Sequence, residues 1–412
     1  MTEKYTTKLS GYFKAAGVEE FPEDFSECYL EYPPRKSQIT GLNRCVTQPK
    51  WGLYDEAGVG KSYVLYGTAL YYAMWGNKVV AVMPPILFKQ FKDNLFKQFR
   101  GSHNIISAET FGPGSATKDQ QGLSKRDKAF EKARNERLNM LIMSYEMFVK
   151  EKDRLKECGF NVVITDEAHK LRNSESSFYE AIYEYTDNDE DTALIVATGT
   201  PIFHTPLDGF AMTNIVSRGT YKSLRSFKRQ HCIIRSFLMR RVIRGRERKV
   251  RVEQIEGYKN LDLLHINMYK KARRVEKSEA LDLKKPSIVL VDVDMSPAHK
   301  RIYNTMANER MLEMPDDRLL ISREASSLRE NLMQIACNPH QYSNKAVKDN
   351  LFEMFEEKLV EALGADSKVV VYAPLLGSTS SHTISASPSS TSSALISSLI
   401  PFPQLSLRFA TF

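Results

Sequence analysis

The chain has 412 residues, 42% hydrophobic and 26% charged, with 58 Lys+Arg against 50 Asp+Glu and a formal net charge of +8. That length exceeds a single core and predicts two or three domains, while the mild basic excess permits a nucleic-acid partner without demanding one. No apolar run reaches membrane-spanning length, and Met1-Thr2-Glu3-Lys4 opens a polar segment without a signal-peptide core, so a soluble intracellular chain, neither secreted nor membrane-bound, is expected.

Residues 1–30 form an N-terminal segment, and Pro22, Pro33 and Pro34 break any long element there. Beyond it, short apolar runs alternate with stretches of helical period, the signature of a parallel sheet with crossover helices. Trp51-Gly52-Leu53-Tyr54 reads as a strand, residues 55–62 as a glycine loop, and the apolar stretch from Thr68 to Met74 as part of the helix that follows. Lys78 to Met83 is a buried strand stopped by Pro84-Pro85, and Leu87, Phe91, Leu95 and Phe99 recur one helical turn apart in its covering helix. Met140-Leu141-Ile142-Met143, Val162-Val163-Ile164 and Leu194-Ile195-Val196-Ala197 are three further buried strands. In such sheets ligands sit beyond the carboxyl ends of the strands.

Lys125 to Arg137 reads as a solvated helix face. Arg240, Arg241, Arg244, Arg246, Arg248, Lys249 and Arg251 are denser, and Gly245 in their midst predicts a turn between two strands. Their functional reading, beside plain solubility, is contact with a phosphate backbone centred on Arg244 and Arg246. From Val369 to Leu407 there is no Asp, Glu, Lys or Arg. Lys368 to Tyr372 reads as the opening strand of a second α/β domain, and residues 377–412 as a low-complexity, disordered tail. An opening strand has no use without its sheet, which favours an interrupted reading frame over a natural tail. Five scattered cysteines, Cys28, Cys45, Cys158, Cys232 and Cys337, include no C-x-x-C pair and predict reduced, buried thiols.

The chemistry concentrates in three turns. In Gly58-Val59-Gly60-Lys61-Ser62 the glycines let backbone N–H groups close on phosphate oxygens, the lysine reaches the outer phosphates, and the serine hydroxyl helps hold Mg²⁺. The strict phosphate-loop pattern has a glycine where Asp55 stands, so this loop alone is a partial match. Asp166-Glu167-Ala168-His169 ends an apolar run: Asp166 would hold Mg²⁺ through water, and Glu167 would orient or deprotonate the attacking water. An acidic turn that merely starts a helix is the plainer alternative, outweighed by the loop upstream. His169 either bonds to a neighbouring loop or fills a polar niche; it is not a metal ligand, and no metal beyond Mg²⁺ is expected. Thr198-Gly199-Thr200-Pro201 offers two hydroxyls on a tight turn, which either reach His169 or Glu167 and report the γ-phosphate or simply cap the turn.

Taken together, these residues resemble the superfamily 2 helicase-like ATPases, specifically the Swi/Snf-type DNA translocases, along most of residues 30–375. That family's phosphate loop carries Asp-Glu before its glycines, as Asp55-Glu56 does here. Met83-Pro84-Pro85, Ser144-Tyr145-Glu146-Met147, Asp166 to Asn173 and Thr198 to Ile202 are similar to its successive motifs, and the region around Tyr258 resembles the annealing-helicase and bacteriophage branches. Arg273-Arg274 and Gln334 to His340 resemble the linker that joins the lobes. The resemblance implies a RecA-like ATP-binding lobe over 31–217, a mostly helical linker over 218–345, and the start of a second RecA-like lobe over 346–376.

It also implies roles. Gln38 would read the adenine edge, making the nucleotide ATP; Gly58, Val59, Gly60, Lys61 and Ser62 would hold it, with Ser62 and Asp166 on Mg²⁺ and Glu167 on the water. His169, Thr198, Gly199 and Thr200 would couple γ-phosphate loss to stepping, and Pro84, Pro85, Ser144 and Tyr145 would lie along one strand of sequence-nonspecific duplex or branched DNA. A monomeric DNA translocase is therefore expected. No glutamine- and arginine-rich motif follows Lys368 to supply arginine fingers, so slow hydrolysis without translocation is expected of these 412 residues. An RNA helicase shares the acidic box but not the Lys170 to Asn173 extension. A non-catalytic nucleic-acid-binding module is the alternative from another class, and a small-molecule kinase would need neither the acidic box nor the Thr-Gly-Thr-Pro turn.

Overall fold

Strands that are apolar on both faces must be covered on both faces, which parallel strands with crossover helices achieve. The computed structural model of the chain describes residues 8–18, 28–112, 114–119, 122–187, 192–243, 246–282, 288–343, 345–364, 370–372, 395–397 and 407–410. It falls into two units, Met1–Leu283 and Lys284–Phe412.

The first unit runs α1 (Leu9–Ala15), β1 (Tyr29–Leu30), α2 (Lys36–Thr47), β2 (Lys50–Leu53), α3 (Lys61–Met74), β3 (Lys78–Val82), α4 (Phe88–Gln98), β4 (Phe99–Arg100) and β5 (Ala108–Phe111). Next come α5 (Lys125–Arg134), β6 (Met140–Met143), α6 (Tyr145–Glu157), β7 (Phe160–Thr165), α7 (Ser177–Tyr185) and β8 (Ala193–Ala197). The unit ends with α8 (Asp208–Val216), α9 (Leu224–His231), β9 (Cys232–Ile243), β10 (Arg246–Tyr258), α10 (Leu261–Met268) and β11 (Ala272–Arg273). Seven strands form one sheet in the order β11-β2-β8-β7-β3-β6-β5. Every neighbouring pair in it is parallel.

Successive residues of each strand go to opposite cores. Val79, Ala81, Ile142, Ile164 and Ile195 join the core that contains Leu65 of α3 and Phe91 of α4. Val80, Val82, Leu141, Val163 and Leu194 join the one that contains Phe148 of α6 and Ile182 of α7. The strands expected from sequence are therefore present as fully buried strands, in the α/β arrangement of parallel sheet and covering helices. β2 and β7 are not immediate neighbours: β8 lies between them, and the tips of all three point to the same end of the sheet.

The arginine-rich stretch forms an antiparallel ribbon, β9 with β10, in which Arg241 pairs with Arg248 and Arg240 with Lys249. Twelve residues of strand reach roughly 40 Å at the usual rise. The segment expected to be mostly helical thus also carries a long two-stranded element. Arg244 lies outside the described residues, and Arg246 opens β10.

In the second unit, helices Pro297–Glu309 and Ala325–Cys337 share a small core of Met306, Ile335 and Tyr342, beside a hairpin of Met311–Glu313 with Leu319–Ile321. A helix spans Asn350–Gly364, and Val370–Tyr372 pairs in parallel with Leu395–Ser397. Ile288–Val291 pairs antiparallel with Leu407–Ala410. Apart from those two short strands, the serine-rich segment expected to be disordered lies outside the described residues. All five cysteines are free, four of them buried. Among the described residues no helix is long and apolar enough to cross a membrane.

Ile195 of β8 is fully buried between β2 and β7. Ile195→Ala is expected to destabilise the first unit by about 2–5 kcal/mol, a loss measurable as a lower urea midpoint at unchanged slope.

Candidate nucleotide site

The glycine loop leaves the tip of β2 and turns directly into α3. Tyr54 fixes the exit: its hydroxyl donates to the Met212 carbonyl at 2.7 Å and its N–H to the Arg273 carbonyl at 2.9 Å. Gly58 and Gly60 then take φ of +87° and +98°, left-handed values at which a side chain is strained. At Gly60 an added Cβ would also meet Gln38 Nε2 at 2.4 Å. The loop therefore delivers Lys61 and Ser62 as the first residues of a 14-residue helix, whose free N–H groups and dipole favour an anion.

Lys61 Nζ donates to the carbonyls of Asp55 at 2.8 Å and Glu56 at 3.0 Å. Burial lowers its pKa, and Asp166, Glu167, Asp55 and Glu56, in that order, oppose the shift. Loop and acidic box therefore share one electrostatic neighbourhood.

Asp166 begins just beyond β7, where its N–H donates to the Val82 carbonyl at 2.9 Å. Its Oδ1 accepts the Glu167 N–H at 2.9 Å, and its carbonyl accepts the Tyr145 hydroxyl at 3.0 Å. The carboxyl is buried; burial pushes its pKa up, the Glu167 charge adds to that, and the Glu167 N–H and Lys61 pull it back. Glu167 sits at φ +50°, a left-handed conformation that costs a non-glycine residue roughly 1–2 kcal/mol. Its Oε2 is 3.1 Å from His169 Nδ1. His169 thus partners the acid within its own turn.

Gln38, Gly60, Ser62 and Asp166 line one cleft of about 340 Å³ together with Arg35 and Gln90. Gln38 is buried, with Oε1 accepting the Arg35 N–H at 2.8 Å and Nε2 donating to the Gly60 carbonyl at 3.5 Å. The Ser62 hydroxyl and Asp166 carboxylate are hard oxygen donors on the same cleft, and among the described residues no cluster of three or more His, Cys, Asp or Glu competes with them. So sparse a protein donor set suits Mg²⁺, which keeps several of its waters.

The third turn closes over the loop. A Cβ on Gly199 would lie 3.1 Å from the Ala57 nitrogen and 3.5 Å from Lys61 Nζ, so only a glycine-sized residue lets the two loops approach so closely. The Thr198 hydroxyl, expected to reach His169 or Glu167 if it was not simply a cap, accepts the Thr200 N–H at 3.2 Å instead. The threonine is buried where the nearest donor belongs to its own turn.

The expected strand-contacting residues divide. Pro84 and Pro85 follow β3 and are half-buried and exposed, at the start of a one-turn helix. Ser144 is buried and caps α6 by accepting the Met147 N–H at 3.2 Å, and Tyr145 is buried as a brace for Asp166. Side-chain contact from this turn falls in this arrangement to its exposed neighbour Glu146.

Sequence reasoning gave no site role to residues 273–277, which grip the acids ahead of the loop. Arg273 Nη2 is 2.5 Å from Asp55 Oδ2 and Arg274 Nη2 is 3.2 Å from Glu56 Oε1. The Lys277 N–H donates to Glu56 Oε2 at 3.0 Å. Nothing in the spacing of residues more than two hundred positions apart announces this contact; the only signal is the family likeness of Arg273-Arg274.

A parallel sheet that carries a glycine loop, an acidic box and a Thr-Gly-Thr turn at adjacent tips defines an α/β nucleotide-site domain. Residues 50–347 match the SNF2-related domain, and the chain belongs to that family of Swi/Snf-type ATPase motors. It is 25% identical over 233 residues to the SWI/SNF-related matrix-associated actin-dependent regulator of chromatin subfamily A member 1 of Homo sapiens, covering 51% of this chain and 21% of that protein. It is 29% identical over 218 residues to the DNA repair and recombination protein RAD54B of Homo sapiens, covering 49% of this chain and 22% of that protein. The chain thus spans about a fifth of the length of these relatives. A solved Sulfolobus solfataricus SWI2/SNF2 ATPase core in complex with dsDNA aligns with 85% of this chain and 68% of its own at a TM-score of 0.44 and 14% identity.

The raised carboxyl of Asp166 fixes the sign of a pH effect. A folded-state pKa above the unfolded one gives stability that is full below the unfolded value of 3.8 and lost as pH rises through the folded pKa. Asp166→Asn is expected to remove that share of the acid-side slope, making the ligand-free variant more stable than wild type at pH 7. Paired melting curves from pH 4 to 7 measure the difference.

Proposed function

We propose that the chain is an ATP-driven motor that moves on duplex or branched DNA through backbone contacts. The observation that carries the reading is the convergence of Gln38, Gly60, Ser62 and Asp166 on one cleft, beside a Lys61 whose charge is balanced by the acidic box. Gln38 reads the adenine edge. Lys61 and the loop amides hold the phosphates, and Ser62 and Asp166 hold Mg²⁺, which neutralises phosphate charge when bound. Glu167 orients or deprotonates the attacking water, and His169, 3.1 Å away, holds its carboxylate in place. Gly199 lies against Ala57 and Lys61, so the Thr198-Gly199-Thr200 turn senses any shift of the loop and couples it to movement.

On the DNA side, the exposed Pro85 and the arginine-rich ribbon supply the contacts, acting on phosphates and so without base specificity. The protein acts as a soluble intracellular monomer in this reading.

Duplex DNA is expected to stimulate ATP hydrolysis by the purified chain, and RNA to do so far less. Lys61→Ala should abolish both nucleotide binding and turnover. Glu167→Gln should keep nucleotide affinity while lowering turnover by about 10²–10⁴. Turnover that survives Lys61→Ala, or stimulation by RNA alone, overturns the reading.

Replacing Arg240, Arg241, Arg248 and Lys249 with glutamine should weaken duplex binding uniformly across sequences. The logarithmic salt slope should fall by about one for each phosphate no longer neutralised. Fluorescence anisotropy from 50 to 200 mM salt provides the measurement.

A further inference from the structure

We propose that Arg273 is a positioning residue that joins the purine-reading helix and the phosphate loop into one unit, so that base recognition at Gln38 sets the geometry of the loop. The inference rests on the nucleotide reading above and adds a residue from the far end of the unit to it.

The geometry is that of a single planar fork spanning two elements. Arg273 lies in edge strand β11, in register with Leu53 of β2. Its Nη1 donates to the Ser37 carbonyl at 2.7 Å and to Thr40 Oγ1 at 2.9 Å, both in α2 and on either side of Gln38 in sequence. Its Nη2 donates to Asp55 Oδ2 at 2.5 Å, at the start of the phosphate loop. Access depends on Gly41, where a Cβ would stand 2.7 Å from Nη2 and 2.9 Å from Cζ. Gln38 completes the circuit, because its own side chain rests on Gly60 at the other end of the loop.

This arrangement is a poor way to gain stability. Asp55 is 1% exposed, yet its Oδ1 has no hydrogen-bond partner, and Arg273 Nε is also buried without one. A buried pair that leaves two polar atoms unsatisfied scarcely offsets its desolvation. What it does supply is position: the angle between two donors of one guanidinium is fixed, and so is the placement of α2 relative to Asp55. Lysine, a point donor on a flexible stem, would keep the charge opposite Asp55 and lose the fork. Arg274 and the Lys277 N–H fix Glu56, the next residue of the loop, from the same segment.

The test is calorimetric titration of the full 412-residue chain with ATP, GTP and inorganic tripolyphosphate. The variants are Arg273→Lys, Arg273→Gln, Gln38→Ala and Gln38→Ala with Arg273→Gln. Wild type should prefer ATP over GTP, and both Arg273 variants should lose about tenfold of that preference. Their affinity for tripolyphosphate should fall less than their affinity for ATP. On the Gln38→Ala background Arg273→Gln should remove no further preference, because the fork acts through Gln38. If the Arg273 variants melt earlier but keep the full ATP preference, Arg273 is merely structural and the proposal is overturned. It is overturned equally if the losses at Gln38 and Arg273 add independently. Should Arg273→Gln fail to fold, Arg273→Lys retains the countercharge and decides between these outcomes. Wild type that binds none of the three ligands defeats the nucleotide reading itself and this proposal with it, whereas loss confined to the variants bears only on Arg273.

Discussion

A lysine ammonium drawn into a half-buried loop needs countercharge, and the rest of the first unit is arranged around meeting that need at Lys61. Burial lowers its pKa while carboxylates from two separate turns oppose the shift. Those turns belong to β2 and β7, which sequence separates widely and the sheet places one strand apart. The strand between them, β8, contributes Gly199, small enough to let its turn lie 3.1 Å from the Ala57 nitrogen. Strand order thus becomes electrostatics. Had β8 carried a side chain at that point, the loop and the acidic box could not share one field.

The acidic box shows what such an arrangement costs. Asp166 is buried with its carboxyl pushed up by desolvation and by its neighbour's charge, and Glu167 is held in a left-handed conformation. Both are unfavourable on their own, and both are over-determined by surroundings that do not move. The Asp166 N–H is tied to Val82 of β3, its carbonyl to Tyr145 at the start of α6, and the Glu167 carboxylate to His169. Strain held in place by a packed sheet is the usual condition of a residue that must meet a ligand in one geometry.

Much of this was legible in the sequence because burial on two faces leaves a plain mark. Val79 to Val82, Met140 to Met143, Val162 to Ile164 and Leu194 to Ala197 are unbroken apolar runs, and each is a strand of the central sheet. The glycine loop and acidic box were legible for a related reason: left-handed φ at Gly58 and Gly60 and a paired acid at a strand tip permit few residue types. Edge elements left weaker marks. β11 is two residues long and polar at Arg273, so its role came from pairing with β2 and not from any pattern of its own. The ribbon of β9 and β10 announced its turn through Gly245 but not its length, since arginines interrupt the alternation that marks a strand. Tyr145 misled for a third reason: a tyrosine after a strand tip reads equally well as a surface contact or a buried brace, and only its hydroxyl's partner decides.

The same contrast explains why the grip on Asp55 and Glu56 comes from so far along the chain. A phosphate loop must be rigid enough to present its N–H groups together, yet the glycines that permit its shape also make it the most flexible part of its strand. Local hydrogen bonding cannot resolve that conflict, because the loop amides are the groups that must stay free for an anion. Rigidity has to come from residues flanking the glycines and from partners outside the loop. Asp55 and Glu56 stand at that flank, and the sheet's free edge beside β2 is where a late strand can dock without disturbing the core. Placing arginines in that strand ties the loop's stiffness to completion of the fold, since β11 forms only after the whole of the lobe has been made.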